Sequence, residues 1–208
     1  MTKRIFKYII LFLRLGFFVV GAHQAWIQDW TGVFVVSQAI LISFIPNLLW
    51  KYYKIYTPFS LRVGIVFFMC FTLILGELAD FYDMFWWWDL ALHTVAGVGI
   101  TLIGFISLLA IFRQSDLRAA PFFTAALAVS ISLAAAVVWE IYEFLIDTFF
   151  PTGSLMQPSN HDTMTDLIVA TLGSLVVGLS GYRYLKNRKV DIITDIIKDG
   201  AERNNISH

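Results

Sequence analysis

The chain has 208 residues, 58% of them hydrophobic and 14% charged, with a formal net charge of zero and a mean hydropathy of +0.72. Soluble domains carry about 25% charged residues, so this composition excludes an ordinary soluble domain, and no nucleic-acid partner is expected. The single Cys70 excludes an internal disulfide and a zinc site built on thiolates.

The apolar residues fall in blocks near the ~20 residues that a helix needs to cross the hydrocarbon. Six spans are predicted, over 8–25, 31–50, 61–79, 87–112, 122–144 and 165–184. The first has a basic start like a signal peptide, but Arg14 interrupts its apolar run and "VGAHQ" is a poor cleavage site, so it is expected to be retained. Arg14 is expected to snorkel or to pair internally. In the second span, Pro46 and Asn47 predict a kink. The expected fold is an all-α polytopic membrane bundle over 1–186, followed by a tail over 187–208. In that tail Val190, Ile193 and Ile197 stand at helical spacing beside Asp191, Asp195 and Lys198, the pattern of a short amphipathic helix on the inner membrane surface.

The basic residues are distributed unevenly. Lys3, Arg4, Lys7 and Arg14 precede or enter the first span; Lys51, Lys54 and Arg62 lie between the second and third. Arg113 and Arg118 lie between the fourth and fifth, and Arg183, Lys186, Arg188, Lys189, Lys198 and Arg203 follow the sixth. The other three loops contain none. Loop Lys and Arg mark the cytoplasmic side, so both termini are expected there, in a multi-pass protein of a bacterial inner membrane. The opposite ends carry ten of the fifteen acids, and most of the tryptophans, Trp26, Trp30, Trp86, Trp87, Trp88 and Trp139, stand there as an interfacial belt. Asp29 and Asp83 read as solvated loop acids.

Some of these acids share helix faces. Asp89 and His93 are four apart; Glu140, Glu143 and Asp147 are spaced by three and four; Asp162 and Asp166 are four apart; Glu77, Asp80 and Asp83 rise by threes. An ionised carboxylate at the centre of a membrane helix costs ~2.5–3.5 kcal/mol on insertion scales, and no Lys or Arg stands on that side to pair with one. Water, protonation or a bound cation would relieve the cost. A divalent ion is the natural counterion, and the donors Asp89, His93, Glu140, Glu143, Asp162 and Asp166 suit it. Asp89 and Asp162 also suit simple helix caps. Gly97, Gly99, Gly173, Gly178, Gly181 and Ala134–Ala136 would let the last three spans approach closely.

The stretches "WWDLALHTVAG", "EIYEFLID" and "HDTMTDLIVATLGSLVVG" resemble the YjdF-like family of bacterial inner-membrane proteins, from about the third span to the end of the sixth. The resemblance implies topology and little chemistry. The last three spans are also similar to the VanZ-like pattern: Asp89 and His93, Glu140 and Glu143, Asp166 and Gly173 take its polar and glycine places. The chain departs from that pattern at Ala170 and Thr171, where the pattern has an Asn, and has no Arg before Asp166.

Three functions fit these residues. In one, a metal-bound water attacks a lipid or envelope precursor, with Glu140 or Glu143 as base. In the second, the carboxylates carry a cation or proton across the membrane. In the third, a structural ion or shared protons hold the helices together; membrane lipids are expected partners in all three.

Overall fold

The computed structural model describes residues 2–117, 119–149, 156–187 and 192–204, and none of these is in a strand. Arg118, Arg188, Lys189, Val190 and Asp191 lie outside the described residues. The chain divides into two compact units, Met1–Trp88 and Asp89–His208.

Among the described residues, five helices are long and apolar enough to cross a membrane: Arg4–Trp26, Phe59–Glu77, Trp88–Gln114, Pro121–Phe149 and Asn160–Asn187. A sixth crossing arises if the pair Trp30–Ser43 and Ile45–Tyr53, bent by 40°, is one broken span. Large apolar side chains such as Phe12, Val19, Phe122 and Leu172 stand exposed along these helices. That is the surface that lipid covers, and the helical ladder satisfies the backbone polar groups there.

In the first unit, α1 (Thr2–Trp26), α2 (Trp30–Ser43) and α4 (Phe59–Met69, continued as a π-helix over Cys70–Glu77) pack around Phe17, Val36, Ala39, Val66 and Leu73. The predicted kink is a full break at Phe44, between α2 and α3 (Ile45–Tyr53), with Pro46 in the first turn of α3. Proline has no N–H to continue the ladder, and the next N–H, that of Asn47, donates to Phe44 O at 2.9 Å in place of Ser43 O. The carbonyl freed at Ser43 is taken by the Arg14 guanidinium, which also donates to Ser43 Oγ at 3.1 Å and Asn47 Oδ1 at 3.0 Å. Its carbon lies 3.9 Å from the centre of the Phe44 ring. Arg14 therefore pairs internally, with neutral acceptors, and stitches the break. Arg14→Met is expected to lower stability by ~1–3 kcal/mol, the cost of stranding buried acceptors. An unchanged thermal midpoint in detergent contradicts that role.

Two expectations for this unit are corrected. Asp29 is not a solvated loop acid: it caps α2, accepting from Gly32 N–H at 3.0 Å and from Gln24 Nε2 at 2.8 Å. Glu77, Asp80 and Asp83 do not form one helical stripe. Asp80 adopts a left-handed conformation (φ 56°) that separates the π-helix from the short α5 (Phe81–Met84). Of the tryptophans, Trp26 and Trp86 are exposed, as a belt requires, but Trp88 is buried and packs edge-on against Phe81 at 4.9 Å.

The second unit contains α6 (Trp88–Gln114), α7 (Pro121–Phe149), α8 (Asn160–Asn187) and α9 (Ile192–Arg203). Pro121 opens α7, where its fixed φ suits the first turn. Ser159 caps α8, its hydroxyl accepting from Asp162 N–H at 3.2 Å, so Asp162 is a first-turn acid and the cap belongs to its neighbour. Of the amphipathic pattern expected in the tail, Ile193, Asp195, Ile197 and Lys198 fall in α9, but its buried face does not lie on the membrane surface as expected. Its buried face, Thr194, Ile197, Gly200 and Ala201, packs against the protein itself, with Gly200 beside Ile106 of α6. Lys198–Glu202 and Arg203–Asp199 pairs lie on its outer side.

Candidate metal centre

The faces of α6, α7 and α8 meet in layers, each one helical turn further in. The outer layer holds Asp89 and His93, Glu140 and Glu143, and Asp162 and Asp166. One turn further in stand Gly97 and Ala170, four residues after His93 and Asp166, and Ala136, four residues before Glu140. Next come Thr101, Ser132 and Ser174. All of the last six are buried.

The small middle layer sets the helix spacing. A Cβ on Gly97 would collide with the Ala170 carbonyl oxygen of α8, and one on Gly173 with the Thr94 carbonyl oxygen of α6. Only glycine allows backbones to approach so closely. Gly99, which has nothing within 4 Å of its would-be Cβ, has no such role. The third layer is a closed hydroxyl cluster. Gly97 O accepts from Thr101 Oγ1 at 2.7 Å and Ser132 Oγ at 3.2 Å, and Ser174 Oγ lies 2.9 Å from Ser132 Oγ and 2.8 Å from Ala170 O.

Above this floor, Asp89, His93 and Asp166 each bring one ligand atom to within 4.8 Å of the other two. His93 Nε2 lies 3.4 Å from Asp89 Oδ1, and His93 Nδ1 lies 3.8 Å from Glu140 Oε1. Asp166 is only 1% exposed, yet neither of its carboxylate oxygens has a hydrogen-bond partner. Buried polar groups are nearly always hydrogen-bonded, and an unpaired carboxylate is among the costliest exceptions. Two carboxylates and an imidazole converging in an apolar helix packing could hold a divalent ion.

The other expected site residues stand around this trio. Glu140 is buried; its Oε2 accepts from Gln157 Nε2 at 3.1 Å, while its Oε1 has no hydrogen bond. Glu143 is buried and accepts from the Trp139 indole N–H at 2.7 Å. Trp139 is thus tied to the site and is more than a belt residue. Glu143 also lies within electrostatic range of Glu140, Asp89 and Asp166, and Asp162 within range of Asp89 and His93. Asp147 serves a different purpose. Its two oxygens accept from the backbone N–H groups of Met156 (2.9 Å) and Gln157 (2.8 Å), anchoring the approach to α8.

Gln157 is the residue that the sequence pattern missed. It sits outside the helices, beside Pro158, on no periodic face, and its partner Glu140 is seventeen residues away. The sequence signal was weak: one amide side chain just ahead of the helix that carries Asp162 and Asp166.

These features define an α-helical, multi-pass membrane protein with a buried carboxylate–imidazole site between three helices. The chain belongs to the predicted membrane protein family DUF2238, whose family model matches residues 6–187, in keeping with the YjdF-like resemblance of its motifs. No curated protein and no solved structure matches the chain.

Proposed function

We propose that the protein binds a divalent cation through Asp89, His93 and Asp166 and uses it on a lipid or envelope precursor at the outer face of a bacterial inner membrane. The observation that carries this reading is Asp166, buried with both oxygens unpartnered beside an imidazole and a second carboxylate. Among the described residues, no Lys or Arg is ion-paired to any of the three. Three protein donors leave coordination positions open, as catalytic sites do and closed structural sites do not. A divalent ion supplies Lewis acidity. Glu143, oriented by Trp139, is the carboxylate placed to hold a proton. Asp162, half-buried at the start of α8, adds negative charge where a cation would enter. The Lys and Arg distribution supports the outer location of the site and cytoplasmic termini.

Transport fits less well. The hydroxyls beneath the site are engaged with one another and with Gly97 O. Beyond them Phe105, Ile106 and Val177 are fully buried apolar residues, which stand against an ion path directly below the site. Glu143→Gln separates the readings. The purified variant is expected to retain the metal content of the wild type while losing metal-dependent turnover of envelope lipid extracts. Cation flux into proteoliposomes, with no turnover by either protein, overturns the enzymatic reading.

A further inference from the structure

We propose that Gln157 and Glu140 are the positioning residues of the metal site. Gln157 fixes Glu140, and Glu140 holds the Nδ1 proton of His93, leaving Nε2, which faces Asp89, as the lone-pair donor. The inference rests on the metal-site reading above and assigns Glu140 a supporting place, outside the ligand set.

The geometry divides the imidazole between two carboxylates. Nε2 points to Asp89, one of the three converging ligands, and Nδ1 points to Glu140, on a different helix. A neutral imidazole donates from one nitrogen and accepts at the other, so the partner of Nδ1 decides what Nε2 can offer. Glu140 is well placed to be that partner. Its Oε1 is fully buried, lacks a hydrogen bond, and lies 3.8 Å from Nδ1, one short side-chain adjustment from bonding. Its Oε2 is held by Gln157, whose amide also reaches the Glu140 backbone carbonyl at 3.3 Å.

Gln157 is itself held. Its backbone N–H and that of Met156 both donate to Asp147, two turns along α7 from Glu140. A neutral amide is the right chemistry for this place: it anchors one oxygen by hydrogen bonding and leaves the charge of the carboxylate for the imidazole. Carboxylate-supported histidines recur at metal sites, and loss of the support costs 10–100-fold in metal affinity.

The test is Zn²⁺ titration of the detergent-purified full chain, wild type beside Glu140→Gln and Gln157→Met. Both replacements keep the side-chain shape, and Gln157→Met keeps the backbone anchor to Asp147. Each is expected to bind one Zn²⁺ per chain about 10–100-fold more weakly than the wild type, with the metal-free protein still folded and unfolding in one cooperative transition. In the Zn²⁺-loaded wild type, nitrogen NMR is expected to show His93 protonated at Nδ1 and hydrogen-bonded, and Glu140→Gln is expected to shift that resonance. Wild-type affinity in both variants overturns the supporting role and leaves the metal site standing. So does complete loss of binding in Glu140→Gln with no change in Gln157→Met, which makes Glu140 a ligand. No Zn²⁺ bound by the wild type overturns the metal site itself.

Discussion

Asp166→Asn is expected to abolish divalent-cation binding and, at the same time, to make the metal-free protein more stable. The two signs together identify the role. A carboxylate that held the fold together through hydrogen bonds would leave its donors stranded when changed, and stability would fall. Asp166 has no such donors: it is 1% exposed and both oxygens are unpartnered. Asparagine keeps its shape and removes a charge that burial penalises, so the metal-free variant should melt above the metal-free wild type. Added metal then reverses the order. At one hundred times the dissociation constant, a ligand that binds only the folded state adds about 2.7 kcal/mol of stability. The wild-type midpoint should rise on addition of Mn²⁺ or Zn²⁺, and that of Asp166→Asn should not. A variant that melts lower without metal, and still responds to it, contradicts the assignment.

The second large effect concerns the glycines beneath the site. Gly97→Ala is expected to destabilise the protein by ~1–3 kcal/mol, the usual cost of overpacking, and to weaken metal binding with it. The added Cβ meets the Ala170 carbonyl oxygen, a backbone atom that cannot rotate aside, so α6 and α8 must separate. His93 rides on α6 one turn above Gly97, and Asp166 on α8 one turn above Ala170, so the same movement opens the ligand set. Gly99→Ala is the matched control. It adds the same atom two residues away where nothing lies within 4 Å, and alanine's better helix propensity should leave stability unchanged or raised by ~0.5–1 kcal/mol. Equal effects at the two positions, read by thermal unfolding and metal titration, would show that helix propensity and not close approach governs this region.

The spans were legible because hydrocarbon imposes a length and a composition that a sequence displays directly. Asp89, His93, Glu140, Glu143 and Asp166 were legible for the complementary reason: ionisable residues in such segments are rare, and helical spacing puts them on shared faces. What the sequence withheld depends on contacts between distant residues or on a single dihedral angle. Asp29 reads like any loop acid until Gln24 and Gly32 N–H converge on it. Asp162 and Ser159 are both good capping residues, and only the position of the first turn decides between them. The acids after the third span look periodic, but one left-handed residue, Asp80, breaks the period. Pro46 announced a bend; the capture of the Ser43 carbonyl by Arg14, twenty-nine residues away, is what makes a complete break tolerable in an apolar setting.

The metal centre stands or falls on one cation held between Asp89, His93 and Asp166, and pulsed electron paramagnetic resonance of the Mn²⁺-loaded protein can detect it there. The expected spectrum is that of one Mn²⁺ per chain coupled to a single directly bound imidazole nitrogen, with that coupling lost in His93→Gln and the ion lost in Asp166→Asn. Bound Mn²⁺ with no nitrogen coupling, or a coupling that survives His93→Gln, would contradict the site.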